Sequence, residues 1–425
     1  MHARLERLLR WSERYFKTDM TYAIKGIGWL TISQIGIALV AFGSSIAFAH
    51  FVSKETYGTY RFLLSVFWTL SAFSLTGLST AATQAIARGD EGVYKRSFKL
   101  TVLGSLPISL ISVPASAYYF IQHNQTLGFG LLLIALVGPF MQASFLFGIY
   151  LEAKREFRLY SLFGIILNLF PALLLLGTMF VSQDPLVFFG IYLLGNVIIG
   201  LLFGLWVYKR FKPNTKEAPD FFRNGSHFSA MNVLATISQQ IDKLLVFHFL
   251  GAAQLAVYTF ALAFPEQIKG LLNNIATLAF PKFSQRTPQE IEANLWHRLA
   301  YYTGFLALAT IFYVALAPLF FQLFLPAYTD AIWYSQLFAL SLMFVSNTIP
   351  LTVLQAQAAK RELYIFNIAS PIVLIGTLVA CTIFYGLLGV IVARIIGRVF
   401  NLILLSALVK YHSVRTTPQL APSQQ

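Results

Sequence analysis

Residues 186–223 read LVFFGIYLLGNVIIGLLFGLWVYKRFKPNTKEAPDFFR. From Leu186 to Tyr208 no side chain is charged, and Lys209, Arg210, Lys212, Lys216 and Arg223 then follow in quick succession. A helix of roughly 20 apolar residues crosses the hydrocarbon core of a bilayer and satisfies its own backbone there. This stretch therefore reads as a transmembrane helix that runs into a basic loop. The rest of the chain agrees with it. Of 425 residues, 57% are hydrophobic and 11% charged, and the mean hydropathy is +0.67. A soluble protein carries roughly 25% charged residues, so the composition excludes a soluble globular enzyme, and it equally excludes a disordered chain. The one cysteine, Cys381, lies in an apolar run, which excludes disulfides and a multi-cysteine metal site.

Outward from 186–208, apolar runs recur at 26–51, 60–80, 100–121, 128–150 and 160–181, and then at 226–249, 256–279, 299–325, 331–353, 363–384 and 387–409. The fold expected is an all-α polytopic membrane protein of 12 transmembrane helices. The closest spacing is at the eleventh and twelfth runs, parted by Tyr385 and Gly386. Alternating the connections between two faces places 25 Lys and Arg on one face, against Lys54 and Arg61 on the other. That asymmetry puts both termini in the cytoplasm and supports an even number of crossings. Arg61 then reads as an interfacial anchor. The formal charge of +14 divides into +13 on the cytoplasmic face, −1 on the outer face and +2 within the membrane layer. Most of the basic excess is thus topology rather than a sign of nucleic acid.

The expected organisation is a cytoplasmic amphipathic lead-in (1–25), a six-helix lobe (26–208), a cytoplasmic linker (209–225), a second six-helix lobe (226–409) and a cytoplasmic tail (410–425). As a helix, the lead-in sets Leu5, Leu8 and Leu9 opposite Arg7, Arg10 and Arg14, which suits an in-plane helix on acidic lipid. It has no short apolar core leading to a small-residue cleavage site, so no cleavable signal peptide is expected. Sliding the chain by 198 residues lays His50-Phe51 on His248-Phe249, Tyr60 on Tyr258, Phe62 on Phe260, Leu64 on Leu262, Ala81 on Ala279 and Arg88 on Arg286. Six crossings separate the copies. The repeat is therefore parallel, a pseudo-twofold along the membrane normal, with a substrate site expected between the halves.

The short outer loops leave no room for an external catalytic domain. No Gly-rich phosphate loop ends in Lys-Ser or Lys-Thr, no His pair has metal-ligand spacing, and no Ser/His/Asp set is present, so neither a cofactor nor a metal site is expected. What remains is charge inside the runs: Asp242, Lys243, Glu266, Lys269, Arg394 and Arg398. Each costs roughly 2.5–3.5 kcal/mol near a helix centre, so these groups should face a cavity or one another. From the outer ends of their helices they lie about 10–20 Å deep at 1.5 Å per residue, in one layer of the second half. Pro265, beside Glu266, should break or kink its helix at that depth. Bland readings stand alongside. Glu266 and Lys269 (i,i+3) can neutralise each other, and Asp242 with Lys243 can be a packing pair. Arg394 and Arg398 (i,i+4) need anions, which Asp242 and Glu266 or a substrate phosphate can supply.

The segments Phe51-Val-Ser-Lys-Glu-Thr-Tyr57-Gly58-Thr-Tyr60, Thr76-Gly77-Leu78-Ser79-Thr80-Ala81-Ala82 and Ile86-Ala87-Arg88-Gly89 resemble the bacterial polysaccharide exporters. These are the oligosaccharide (O-antigen) flippases of the multidrug/oligosaccharidyl-lipid/polysaccharide exporter superfamily. Gln240-Ile241-Asp242-Lys243-Leu244-Leu245, Tyr258, Phe280-Pro281-Lys282 and Gly386-Leu-Leu-Gly389 are similar to later helices of that family. Ala256 and Leu325-Pro326 depart from its usual outward turns. The resemblance implies two lobes in a V, working by alternating access. Its implied cargo is a polyprenyl-pyrophosphate-linked oligosaccharide moved from the inner to the outer leaflet of the bacterial inner membrane. It implies no enzyme activity. Membrane lipids are partners, and glycan polymerase or assembly proteins are partner candidates. On this reading Arg394, Arg398, Lys269 and Lys243 bind the pyrophosphate or glycan, and Asp242 and Glu266 bind a coupling H+ or Na+ or form salt bridges. The alternatives are a multidrug organic-cation antiporter of the same superfamily and, from another class, a membrane polysaccharide polymerase or glycosyltransferase.

Overall fold

A computed structural model describes residues 20–278 and 288–416. The first nineteen residues of the lead-in, the stretch with Lys282 and Arg286, and the end of the tail lie outside the described residues. The described chain is helical. Its helices are α1 (Met20–Phe51), α2 (Lys54–Leu70), α3 (Leu78–Ala87), α4 (Val93–Gly104), α5 (Leu106–Ile121), α6 (Gln125–Ser144), α7 (Leu146–Ala153), α8 (Phe157–Met179) and α9 (Pro185–Phe211). There follow α10 (Phe221–Ser238), α11 (Ile241–Leu250), α12 (Ala252–Leu278), α13 (Pro288–Phe324), α14 (Ala331–Ala339), α15 (Thr348–Ala356) and the helical stretch Lys360–Thr416. Gly386 divides that last stretch at φ 56°, into α16 before it and α17 after it. Glu362 and His412 stand 3.3 Å apart, whereas a straight helix would part them by about 75 Å at 1.5 Å per residue, so α17 doubles back along α16.

Eight helical segments are long and apolar enough to cross a membrane, and the bent pair of α2 with its 3₁₀ extension and α3, at 63°, makes a ninth. One of the eight is the α16–α17 stretch, which holds two crossings. Two more helical segments, α10–α11, interrupted at Gln239–Gln240 and polar at its start through Arg223, Asn224 and His227, and α12, which carries Glu266 and Lys269, are not among these. The described helices therefore make the twelve crossings expected, and the protein is a multi-pass membrane protein. Its surface fits a lipid environment, with Leu110, Leu136 and Leu308 each about two-thirds or more exposed. The parallel repeat survives in the helix register. α2 starts at Lys54 and α12 at Ala252, an offset of 198 residues.

Turn chemistry places the helix ends. Pro185 opens α9 behind Asp184, whose carboxylate accepts from the Leu186 amide at 2.8 Å. Asn124 caps α6 in the same way through the Leu127 amide at 3.0 Å. Pro265 lies inside α12, which continues through it. Interruptions fall instead between α2 and α3, at Ser105 and Phe145, at Gln239–Gln240 between α10 and α11, and in the 3₁₀ run Leu340–Asn347 between α14 and α15.

The chain forms two compact units. The first comprises residues up to 51 and 67–233, and the second comprises 52–66 and 234 onward. In the first, Leu78, Ile86, Val93, Phe147, Tyr150 and Val207 are core residues. The loop 212–217 of the expected linker docks here. The Gly92 amide donates to the Lys216 carbonyl at 2.8 Å, and Arg96 pairs with Glu217 at 2.6 Å. In the second unit, Leu295, Leu299, Leu354 and Leu405 form one core patch and Leu306, Leu342 and Val345 another. Residues 52–66, expected in the first lobe, pack in the second unit. Tyr57 stacks on Phe260 with ring centroids 4.9 Å apart, Phe62 stacks on Phe247 at 3.8 Å, and Lys54 pairs with Asp330 at 2.8 Å. Gly58 lies so close to the Ala252 carbonyl that a Cβ would collide with backbone.

Candidate functional site

The second unit gathers the membrane charges onto three helices. Asp242 lies in the first turn of α11, where a carboxylate suits the positive end of the helix dipole. It is fully buried, and its Oδ2 accepts from Arg394 of α17 through Nε at 3.1 Å and through Nη2. The hydroxyl of Tyr258, on α12, donates to the same oxygen. Asp242 Oδ1 has no hydrogen-bond donor among the described residues. A buried carboxylate oxygen left without a donor pays the cost of its lost hydration.

One turn along α17, Arg398 donates through Nη2 to Glu266 Oε1 at 2.5 Å and through Nη1 to Ser341 Oγ at 2.6 Å. Its guanidinium also sits over the Phe338 ring, 4.8 Å from the centroid. The other oxygen of Glu266 accepts from Lys269 at 3.0 Å. The cluster thus has a sealed end and an open end. Asp242 is 0% exposed and Arg394 16%, whereas Glu266 and Lys269 are each about a third exposed. Lys243 donates to Gln240 Oε1 at 2.8 Å and meets no carboxylate within 4.0 Å among the described residues.

The structure brings Asp242, Glu266, Lys269, Arg394 and Arg398 together in one layer. The Glu266–Lys269 pair forms as the i,i+3 spacing allows. Asp242 pairs with Arg394 rather than with its neighbour Lys243, because successive residues on a helix point about 100° apart. Each arginine is matched to its own carboxylate. Removing one partner of such a buried pair costs about 3–5 kcal/mol. Among the described residues no group of three His, Cys, Asp or Glu side chains could hold a metal ion.

Sequence reasoning missed four participants. Tyr258 was visible as the repeat mate of Tyr60 and among the family-like residues, but not as a partner of Asp242. Ser341 and Phe338, on a run of 3₁₀ and α-helix, carried no signal. Arg61, read as an interfacial anchor, belongs to the second unit, where it lies over the Tyr57 ring at 6.0 Å and its charge bears on Lys243. With Arg61 the second unit holds five such cations against the two carboxylates Asp242 and Glu266.

The fold has solved counterparts. The lipid II flippase MurJ in an inward closed conformation matches with a TM-score of 0.66 at 16% identity, over 93% of this chain and 88% of that one. A multidrug resistance MATE family transporter of the MOP superfamily, in its inward-facing conformation, matches at 0.65 and 15%, over 92% and 99%. A MOP superfamily transporter from Pyrococcus furiosus, for which reverse polarity of the binding pocket suggests a different function, matches at 0.62 and 14%, over 92% and 97%. These likenesses establish the shared two-lobe helical fold. No curated protein matches by sequence. Residues 23–287, more than half of the chain, match the polysaccharide biosynthesis protein family, and the chain belongs to that family.

Proposed function

We propose that the protein is a flippase for a polyprenyl-pyrophosphate-linked oligosaccharide, the repeat unit of an O-antigen, capsule or exopolysaccharide. On this reading it works by alternating access in the bacterial inner membrane, with both termini in the cytoplasm, and moves its cargo from the inner to the outer leaflet. Membership of a polysaccharide biosynthesis family and the fold shared with a lipid II flippase support a transporter rather than an enzyme. The observation that carries the reading is the positive excess of the buried cluster, which suits an anionic headgroup.

Arg394 and Arg398 present planar forks that match phosphate oxygens two at a time, and Lys269 and Lys243 add point charges. In the present arrangement the arginines are occupied by Asp242 and Glu266. A pyrophosphate therefore competes with these carboxylates, and a proton or Na+ taken up by Asp242 or Glu266 shifts that competition towards the cargo. Asp242 Oδ1, without a donor, is the oxygen best placed to take such an ion. An inside-negative potential drives an anion outward by about 2.3 kcal/mol per charge per 100 mV, so the coupling ion can act on the return step instead.

An exporter of organic cations needs the opposite polarity at its site. Drug resistance on overexpression is the assay that would favour it. The direct test is glycan export in cells carrying Arg394→Ala or Arg398→Ala at normal protein levels. Export should be lost in both, and Lys at either position should not restore it if the bidentate fork matters. Intact export in both Ala variants would remove these residues from the site.

A further inference from the structure

Asp242 and Tyr258 belong to one helical hairpin, whereas Arg394 reaches Asp242 from α17. α11 and α12 are joined by Gly251 alone, whose φ of 88° turns the chain back. Asp242 stands before that turn and Tyr258 after it, about 13 Å and about 10 Å along their helices at 1.5 Å per residue, so the hairpin sets the two side chains nearly level. The Tyr258 hydroxyl donates to Asp242 Oδ2, and both residues are fully buried. Leu255, Ala256, Val257, Phe260 and Ala261 around the tyrosine are buried too, so the phenol is held where it is.

The donors on Asp242 are distributed unevenly. Oδ2 accepts from Nε and Nη2 of Arg394 and from Tyr258, while Oδ1 has no donor among the described residues. A further donor on an oxygen that already holds the guanidinium adds little while the arginine is present. It matters when the arginine is gone, because a buried carboxylate with neither counter-ion nor donor is the expensive state. Glu266 has the same provision in another form, since Arg398 takes Oε1 and Lys269 takes Oε2. The arginines differ, however. Arg398 is also bonded to Ser341 Oγ and lies over the Phe338 ring, whereas the bonds from Arg394 to Asp242 converge on one oxygen. Arg394 is therefore the easier of the two to release.

We propose that Tyr258 is a positioning residue that keeps Asp242 hydrogen-bonded and in place while Arg394 is away from it, which makes Arg394 the mobile arginine of the cluster. The proposal rests on the flippase reading only for what draws Arg394 away, the headgroup of the cargo. Because holder and held lie on one hairpin, α17 gives up its arginine contact without disturbing Asp242. When the cargo leaves, Arg394 returns to a carboxylate that has not moved.

The test is a double-substitution cycle in thermal unfolding of the full chain in nanodiscs, which needs no cargo. Tyr258→Phe removes the hydroxyl alone and should lower the midpoint only slightly while Arg394 is present. In an Arg394→Met background, where Asp242 has lost its guanidinium, the same change should lower the midpoint by about threefold more or beyond. Arg394→Lys keeps a weaker partner and should show a smaller excess of the same sign, which serves if Arg394→Met does not fold. With Asp242→Asn the excess should vanish. Equal losses in every background would make Tyr258 a packing ring and overturn the proposal, as would an excess that persists with Asn at 242. Transport supplies the second readout. Tyr258→Phe should raise KM for a lipid-linked oligosaccharide by about tenfold and change turnover less, since one hydrogen bond to a charge is lost only in the cargo-bound state. An unchanged KM in a protein that flips would also overturn the role. A wild type that does not flip, with the excess intact, would instead count against the cargo and leave Tyr258 in its role.

Discussion

Glu91 in the first unit and Glu266 in the second each accept from a lysine, yet they sit in opposite kinds of ionic cluster. Glu91 takes Lys154 Nζ, the Tyr150 hydroxyl at 3.0 Å and the Asn214 amide at 3.3 Å. Burial pushes its carboxyl up, but the bonds from Lys154, Tyr150 and Asn214 and the Lys154 charge outweigh that and hold its pKa below the ordinary value. Asn214 closes the circle by accepting from the Glu91 amide at 3.1 Å and donating to the Gly89 carbonyl at 2.9 Å. Every strong group there is used on holding the loop of 212–217 against the turn after α3. The cluster around Asp242 and Glu266 is not closed. It keeps an excess of cations, an oxygen without a donor and a half-open end at Lys269. At the water edge a carboxylate costs little and can serve as a fastener. Inside the bilayer the same ions are expensive, and their incomplete pairing is what equips them to receive a ligand.

The comparison can be broken most sharply by a double substitution. Arg394→Ala leaves Asp242 buried and unanswered, so it should cost about 3–5 kcal/mol in stability as well as abolish flipping. Asp242→Asn combined with Arg394→Gln should recover most of the thermal stability, with flipping still absent. If the double variant transports, the pair is structural and resembles the Glu91 cluster after all. A smaller effect is expected at the fastener itself. Glu91→Gln should cost about 1–2 kcal/mol in thermal unfolding and leave flipping close to normal once the protein is folded. Its pH profile supplies the sign. Because the folded pKa lies below the ordinary 4.5, Glu91 contributes fully above that value, and the contribution is lost as pH falls through the lowered pKa. The wild type should therefore lose its advantage over Glu91→Gln on acidification, and a constant gap would show that charge plays no part. The smallest effect on flipping is expected at the turn that brings α17 back along α16. Gly386→Ala puts a side chain at φ 56°, ψ −134°, with no close contact beyond the tip of Leu250, and should cost about 1–3 kcal/mol of backbone strain without loss of flipping. Loss of flipping there at normal stability would show that the arginine positions depend on that turn more than on their carboxylates.

Much of the second cluster was legible in the sequence, and the first was not. An Asp, a Glu and two Arg inside apolar runs stand out because the surrounding composition forbids them, and a count along the helices places them at one depth. Which carboxylate answers which arginine was open, since it depends on helix rotation and on α17 returning past α11 and α12. Glu91, Lys154 and Asn214 come from three separate loops of the basic face, where each looks like any solvated residue. Arg61 was placed on the wrong surroundings for a related reason. Hydropathy gives depth along a helix but not the neighbour it packs against, and residues 52–66 pack with the second unit through aromatic stacking that no local pattern announces. Pro265 stands beside Glu266, but the helix passes through it. Packed neighbours can supply what the lost hydrogen bond removes.

The central claim, that the positive cluster receives the pyrophosphate of a lipid-linked glycan, is tested most directly in proteoliposomes. The purified protein is reconstituted with a fluorescent polyprenyl-pyrophosphate-linked oligosaccharide, and its movement between leaflets is read by accessibility to an impermeant quencher. The account expects flipping by the wild type, competition by a glycan-free polyprenyl pyrophosphate, and loss of both with Arg394→Ala and Arg398→Ala. Equal flipping by the variants, or by the wild type of a neutral glycolipid lacking phosphate, would contradict it.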